Sequence, residues 1–200
     1  MPAKVLLGLV WFAVRKGQLG MAFLLLASFD TFLRTGEALS LVYSDVMFDR
    51  EDRGVINLGH TKTGRRQAAF EAATLNDPLC GKLFRVLLAS LPPGTHREHY
   101  IFLPKLHVFY SLFKEGREWL GVSELRFTPY SIRRGGATAF FRVTRNMEAT
   151  LDRGRWSNVK AARIYVNDGL AKEVELRLPP GVEAHLDRYI CAFQLWLSKQ

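Results

Sequence analysis

The stretch "NVKAARIYVND", residues 158–168, carries one tyrosine, Tyr165, among basic and small apolar residues. Its hydroxyl is either a nucleophile or the polar edge of a packing ring, and these residues alone do not decide between the two. Other residues able to do chemistry lie at junctions between apolar segments. Arg34 precedes Glu37 by three residues, the spacing at which a carboxylate in a helical turn orients a guanidinium or forms an ordinary surface pair. Lys62 lies in the turn "HTKTGRRQ". Arg133 and Arg134 stand in "YSIRRGGATAFF", where Gly135-Gly136 inside a helical pattern is costly unless another backbone comes close. Trp156 follows "RGR" at the head of a helix, with an indole N–H that either serves a ligand or caps a core aromatic.

The charge pattern narrows the chemistry. The chain has 28 Lys and Arg against 19 Asp and Glu, a net charge of +9. Nine of those cations and only two acids fall between Arg126 and Arg163. Such a field attracts polyanions, with a solvated basic face as the plainer reading. H-E-x-x-H, paired C-x-x-C, G-x-G-x-x-G and P-loop motifs are all missing, and the five histidines are scattered. No metal and no cofactor is therefore expected. Cys80 and Cys191 have no ligand spacing and suit a reduced, intracellular protein. The apolar runs "VLLGLVWFAV" and "LGMAFLLLASF" are too short to cross a bilayer and read as buried helices, so no membrane association is expected.

These residues need elements to hold them. Residues 3–29 read as two helices meeting at Lys16-Gly17, with Asp30 or Thr31 placed to cap the next helix. "RTGEALSLVYSDVMF" reads as a short helix burying Ala38, Leu39, Leu41 and Val42. "GVINLGHTKTGRRQAAFEA" fits a β-hairpin, with strands near 54–59 and 66–71 about a turn near 61–65. Further helices are expected from Asn76-Asp77-Pro78, in "KLHVFYSLFKEGREWLG", in "YSIRRGGATAFF", as a pair flanking "RGRWSN", and in "VEAHLDRYICAFQLWL". The class is mainly α with a small antiparallel β-sheet (α+β). Residues 1–178 form the main domain and 179–200 a C-terminal amphipathic helix.

Taken in order, "RTGEALSL", "TKTG", "YSIRRGGAT" and "GRW", with Tyr165 nine residues after Trp156, resemble the catalytic domain of the tyrosine recombinases, or phage integrases. "YSD" after the first motif matches as well, and the likeness spans roughly residues 20–170. The resemblance implies metal-independent DNA breaking and rejoining, in DNA recombination and integration, as by a mobile element's enzyme. Tyr165 would be the nucleophile that forms a 3′-phosphotyrosyl intermediate. Arg34 and Arg133 would bind the non-bridging oxygens, Lys62 would be the general acid, and Trp156 would donate its N–H. Glu37 would orient Arg34, while Arg134, Arg155, Lys160 and Arg163 would face DNA. The implied partners are double-stranded DNA and further copies of the chain, as a tetramer on DNA. The implied location is with the DNA, in nucleus or nucleoid. The C-terminal helix would dock on a neighbouring protomer or pack on its own chain.

The sequence also departs from that family. Tyr130 stands where histidine usually precedes the second arginine by three residues, and a phenol is a poor base at neutral pH. Arg134 stands where an auxiliary histidine is common, and about 20 residues precede the match where a DNA-clamping domain is usual. Three functions stay open: an active recombinase, a catalytically weakened DNA-binding relic, and type IB topoisomerase-like relaxation of supercoils.

Overall fold

The central element is a helix that is apolar all round. In the computed structural model, which describes residues 1–59, 71–103, 106–179 and 181–200, α2 (Leu19–Asp30) buries every residue from Gly20 to Ser28. A helix without a polar face has to be surrounded. Its neighbours are α1 (Ala3–Arg15), α4 (Pro78–Ala89) and α6 (Tyr130–Thr144). The join between α1 and α2 falls where the sequence places it. Gly17, at φ 69°, is the left-handed residue of a Schellman turn, with Gln18 N–H on the Ala13 carbonyl at 2.8 Å and Gly17 N–H on Val14 at 2.9 Å.

The chain leaves α2 differently from the sequence expectation. Neither Asp30 nor Thr31 caps the next helix, α3 (Thr35–Leu39), whose N-cap residue is Arg34. The Asp30 carboxylate instead accepts the Asn76 and Asp77 N–H groups at 2.7 and 3.1 Å and pairs with Arg153. The Thr31 hydroxyl turns back to the Ala27 carbonyl at 2.7 Å. The helix expected through Phe48 stops at Leu39, followed by a 3₁₀ turn, Tyr43–Asp45, and a strand, β1 (Val46–Phe48). The cause is tertiary: Leu41, Tyr43 and Ser44 exchange backbone hydrogen bonds with Ile101, His99 and Arg97, partners supplied by a distant loop. Ala38 and Leu41 are buried, while Leu39 and Val42 are only half-buried.

The sheet is antiparallel in the order β1-β2-β3, with β2 at Gly54–Gly59 and β3 at Glu71–Leu75. Gly54 pairs with Leu75 and Ile56 with Ala73, which places Ile56, Ala73 and Leu75 on the core side. The described part of β3 thus runs past the end expected near 71. Lys62 and the rest of the turn lie outside the described residues.

Beyond α5 (Leu106–Trp119) lie the helices of the basic region: α6, α7 (Met147–Gly154), α8 (Val159–Arg163) and α9 (Asp168–Leu176). The sequence pattern predicts no helix at α9. Asn167 caps it, accepting the Leu170 N–H at 2.8 Å, and Arg142 of α6 grips it through Asp168 and Glu175. The last helix, α10 (Val182–Leu197), packs on α1 of the same chain. It buries Leu186 and Phe193 there, and Lys4 pairs with Glu183 and Asp187, both at 3.0 Å. Among the described residues no helix is long and apolar enough to cross a membrane.

Gly136 lets α6 touch α2. A Cβ there would sit 1.9 Å from the Phe29 carbonyl oxygen, inside any van der Waals contact. Gly136→Ala is expected to cost about 2–4 kcal/mol in urea denaturation. Gly36→Ala, in open space on α3, should raise stability by about 0.5 kcal/mol or leave it unchanged.

Candidate active site

The turn after α2 and the first turn of α6 meet around one guanidinium. Arg133 is 1% exposed. It donates to the Phe32 carbonyl and, at 2.9 Å, to the Gly154 carbonyl at the end of α7. Phe32 adopts φ 53°, a left-handed conformation unusual for an aromatic residue. The flat face of Arg133 lies 5.0 Å from the ring centres of both Trp156 and Tyr165. Those two rings stack at 4.7 Å, and Phe32 also stacks on Trp156 at 6.0 Å. The Tyr130 ring is 5.6 Å from that of Tyr165.

A second layer of charge surrounds Glu37. Its carboxylate accepts the Arg34 backbone N–H at 2.8 Å and pairs with the Arg34 guanidinium. It also accepts Arg155 at 2.9 Å and stands 3.9 Å from Arg133. Burial alone would raise this carboxyl. The Arg155 charge and the Arg34 hydrogen bonds outweigh that and hold it below the usual carboxylate range. Burial, with the charges of Arg34 and Arg155, lowers Arg133 to about 10, so it stays cationic at neutral pH. Tyr130 is raised by burial and by the neighbouring Tyr165 hydroxyl, which keeps its own hydroxyl neutral.

The structure therefore brings Arg34, Glu37, Arg133, Trp156, Tyr130 and Tyr165 together. Lys160 and Arg163 are exposed on α8. Arg134 is half-buried and lines a cavity of about 460 Å³ beside Tyr165, between α6, α9 and the start of α1. Arg155 differs from its expected DNA-facing position, because its side chain is 9% exposed and points inward to Glu37 and Glu71. Two further residues matter that sequence reasoning did not single out. The Thr138 hydroxyl donates to the Tyr165 carbonyl at 3.1 Å, fixing the tyrosine's backbone to α6, and Glu71 closes the charge cluster. Thr138 was visible as the last residue of "GGAT", while Glu71 carried no sequence signal. Among the described residues, Trp156 Nε1 and Arg133 Nε are buried without a hydrogen-bond acceptor. Both donors belong to side chains packed against the Tyr165 ring, and an acceptor bound there would satisfy them. No group of His, Cys, Asp and Glu able to hold a metal ion occurs among the described residues.

This helical assembly, with its small antiparallel sheet and with Tyr165 in the turn between two of its C-terminal helices, is the tyrosine recombinase catalytic-domain fold. The particular likenesses are to the XerH site-specific recombinase bound to a palindromic difH substrate in a post-cleavage complex (TM-score 0.65, 15% identity, 82% of this chain) and to XerH bound to difH in a pre-cleavage complex (0.66, 14%, 89%). The XerA recombinase is similar as well (0.63, 17%, 90%). The chain spans 48%, 53% and 65% of the lengths of those three proteins. No family model and no curated protein sequence matches it.

The depressed Glu37 has a consequence for stability. A carboxyl whose folded pKa lies below its unfolded value, about 4.3, stabilises fully above that pH and loses the contribution as pH falls through the folded pKa. Glu37→Gln should therefore cost about 2–3 kcal/mol at pH 7 by leaving guanidinium charge unpaired. The gap to the native chain should shrink as denaturation is repeated at successively lower pH below about 4.3.

Proposed function

We propose that the chain is a DNA breaking–rejoining enzyme acting through a covalent 3′-phosphotyrosyl intermediate. The observation that carries this reading is the seating of Tyr165 against Trp156 and Arg133, beside the Arg34–Glu37 pair. The likeness to XerH bound to a DNA substrate, before and after cleavage, supports it.

In this reading the DNA phosphate enters between the rings and the guanidinium groups. The Tyr165 oxygen bonds to phosphorus, and its proton leaves to water because Tyr130 is held neutral. The bond to the 5′-oxygen breaks as Lys62 supplies that oxygen with a proton. Arg34 and Arg133 neutralise the non-bridging oxygens, and the indole N–H of Trp156 donates to one of them. Attack by a 5′-hydroxyl on the phosphotyrosine reverses these steps and rejoins a strand. Arg134, Lys160 and Arg163 contact the duplex backbone, and several copies assemble on the DNA.

One observation favours a weaker enzyme or a DNA-binding relic. The Arg133 donors already serve the Phe32 and Gly154 carbonyls, so phosphate has to compete for them.

Nicked suicide duplexes from a randomised pool test the proposal. The native chain should form a protein–DNA adduct stable to denaturant, and Tyr165→Phe should form none. Tyr130→His, which restores a base, should raise the rate on the order of 10²-fold. Salt-sensitive duplex binding without any adduct would establish the relic instead. Relaxation of supercoiled plasmid without exchanged strands would mark topoisomerase-like use.

A further inference from the structure

Arg142 is one of the cations of the basic region, yet its charge is engaged within the chain. It stands on α6 one helical turn beyond Thr138, so the two side chains share a face of that helix. All of its guanidinium nitrogens reach α9. Nε donates to the Asp168 carboxylate and Nη2 to the Asp168 carbonyl at 3.3 Å, while Nη1 donates to Glu175 Oε1 at 2.6 Å. Asp168 is the first residue of α9 and Glu175 lies two turns on, so one planar fork holds the helix at both ends. The hydrogen bonds to Asp168 and Glu175 raise the Arg142 pKa, and the same contact lowers that of Asp168.

Little else holds α9 in place. None of its residues is buried. Beneath it lies the cavity of about 460 Å³, lined by Leu170, Ala171 and Val174 on one side and by Arg134, Thr138 and Ala139 of α6 on the other. Close apolar packing, which usually fixes so short a helix, gives way there to open space, and Val174 reaches the core only in part. The ion pairs of Arg142 bridge the gap.

Tyr165 precedes Asp168 by three residues, in the turn that enters α9. That turn makes two more bonds to the same face of α6. Thr138 Oγ1 donates to the Tyr165 carbonyl at 3.1 Å and accepts the Asn167 N–H at 3.3 Å, and Asn167 in turn caps α9. A shift of α9 therefore moves the Tyr165 backbone, and with it the ring that lies on Trp156 and over Arg133.

We propose that Arg142 is a positioning residue for Tyr165: by clasping both ends of α9 it fixes the turn that seats the tyrosine ring on Trp156 and the Arg133 guanidinium. Its bearing on catalysis rests on the strand-transfer reading above. Arg142 makes no phosphate contact in this role.

The test separates position from charge. Arg142→Gln, and Asp168→Asn combined with Glu175→Gln, break the same contacts but change the net charge in opposite directions. On nicked suicide duplexes each should slow adduct formation from bound DNA roughly tenfold or more, because a small misplacement of a nucleophile is costly. Arg142→Lys, whose compact ammonium does not span both carboxylates, should recover part of the rate. A DNA-contacting Arg142 gives the opposite pattern: the carboxamide variant, with less negative charge, binds duplex more tightly and reacts at least as fast as the native chain. That pattern, or a native rate in Arg142→Gln, would overturn the proposal.

If the native chain forms no adduct, the strand-transfer reading fails by itself, and NMR of the same variants decides the seat of Tyr165. The nuclear Overhauser contact between the Tyr165 and Trp156 rings should weaken in Arg142→Gln, with the Asn167 and Leu170 amides exchanging roughly tenfold faster. A ring contact of native strength would sink the positioning role.

Discussion

Positive charge brought close together out of water repels itself, and the arrangement of this chain reflects how that repulsion is offset. Arg34, Arg133 and Arg155 converge on one carboxylate, with Glu71 at the edge. Unpaired, such groups would lower one another's pKa or push apart, and Arg133, brought down to about 10 first by burial, shows part of that repulsion as well. Glu37 therefore does more than aim Arg34. It allows cationic side chains from the α2–α3 turn, from α6 and from the end of α7 to share one site, with Arg133 and Arg155 buried and Arg34 at its open edge.

The backbone is shaped to the same end. Phe32 and Arg155, both left-handed, bracket the cluster, one offering a carbonyl and the other a guanidinium. Gly136 removes the Cβ that would hold α6 away from α2, which brings Arg133 within reach of the turn. Thr138, two residues beyond Gly136, pins the chain just before α9 so that the Tyr165 ring lies over the charge.

Much of this was legible in the residues. Apolar runs or spacing marked α1, α2, α5 and α10, which bury apolar side chains against their neighbours, while α4 and α6 were read from their proline-containing starts and α7 and α8 as the segments flanking "RGRWSN". The helix expected through Tyr43–Phe48 failed because its backbone partners come from residues 97–101, and no local pattern announces them. The α9 helix escaped notice because it is short and charged, held by Arg142 and not by an apolar face. The meeting of Arg34, Glu37, Arg133, Trp156 and Tyr165 was readable from motif order. The inward turn of Arg155 was not, since a sequence gives a charge its sign but not its direction. Glu71 gave no warning for the same reason.

The stacking of Tyr165 on Trp156 over the Arg133 guanidinium also bears on selectivity. In the unbound chain the cation already has company: two backbone oxygens and two aromatic faces. An anion that takes the terminal nitrogens of Arg133 has to compete with those two carbonyl oxygens. A small phosphate ester makes few contacts beyond its own charge, so in the strand-transfer reading the stack would act as a threshold against it. In that reading, a long polyanion held at many points along the basic flank would bring binding energy that a small ester lacks, and length itself would become the credential for entry.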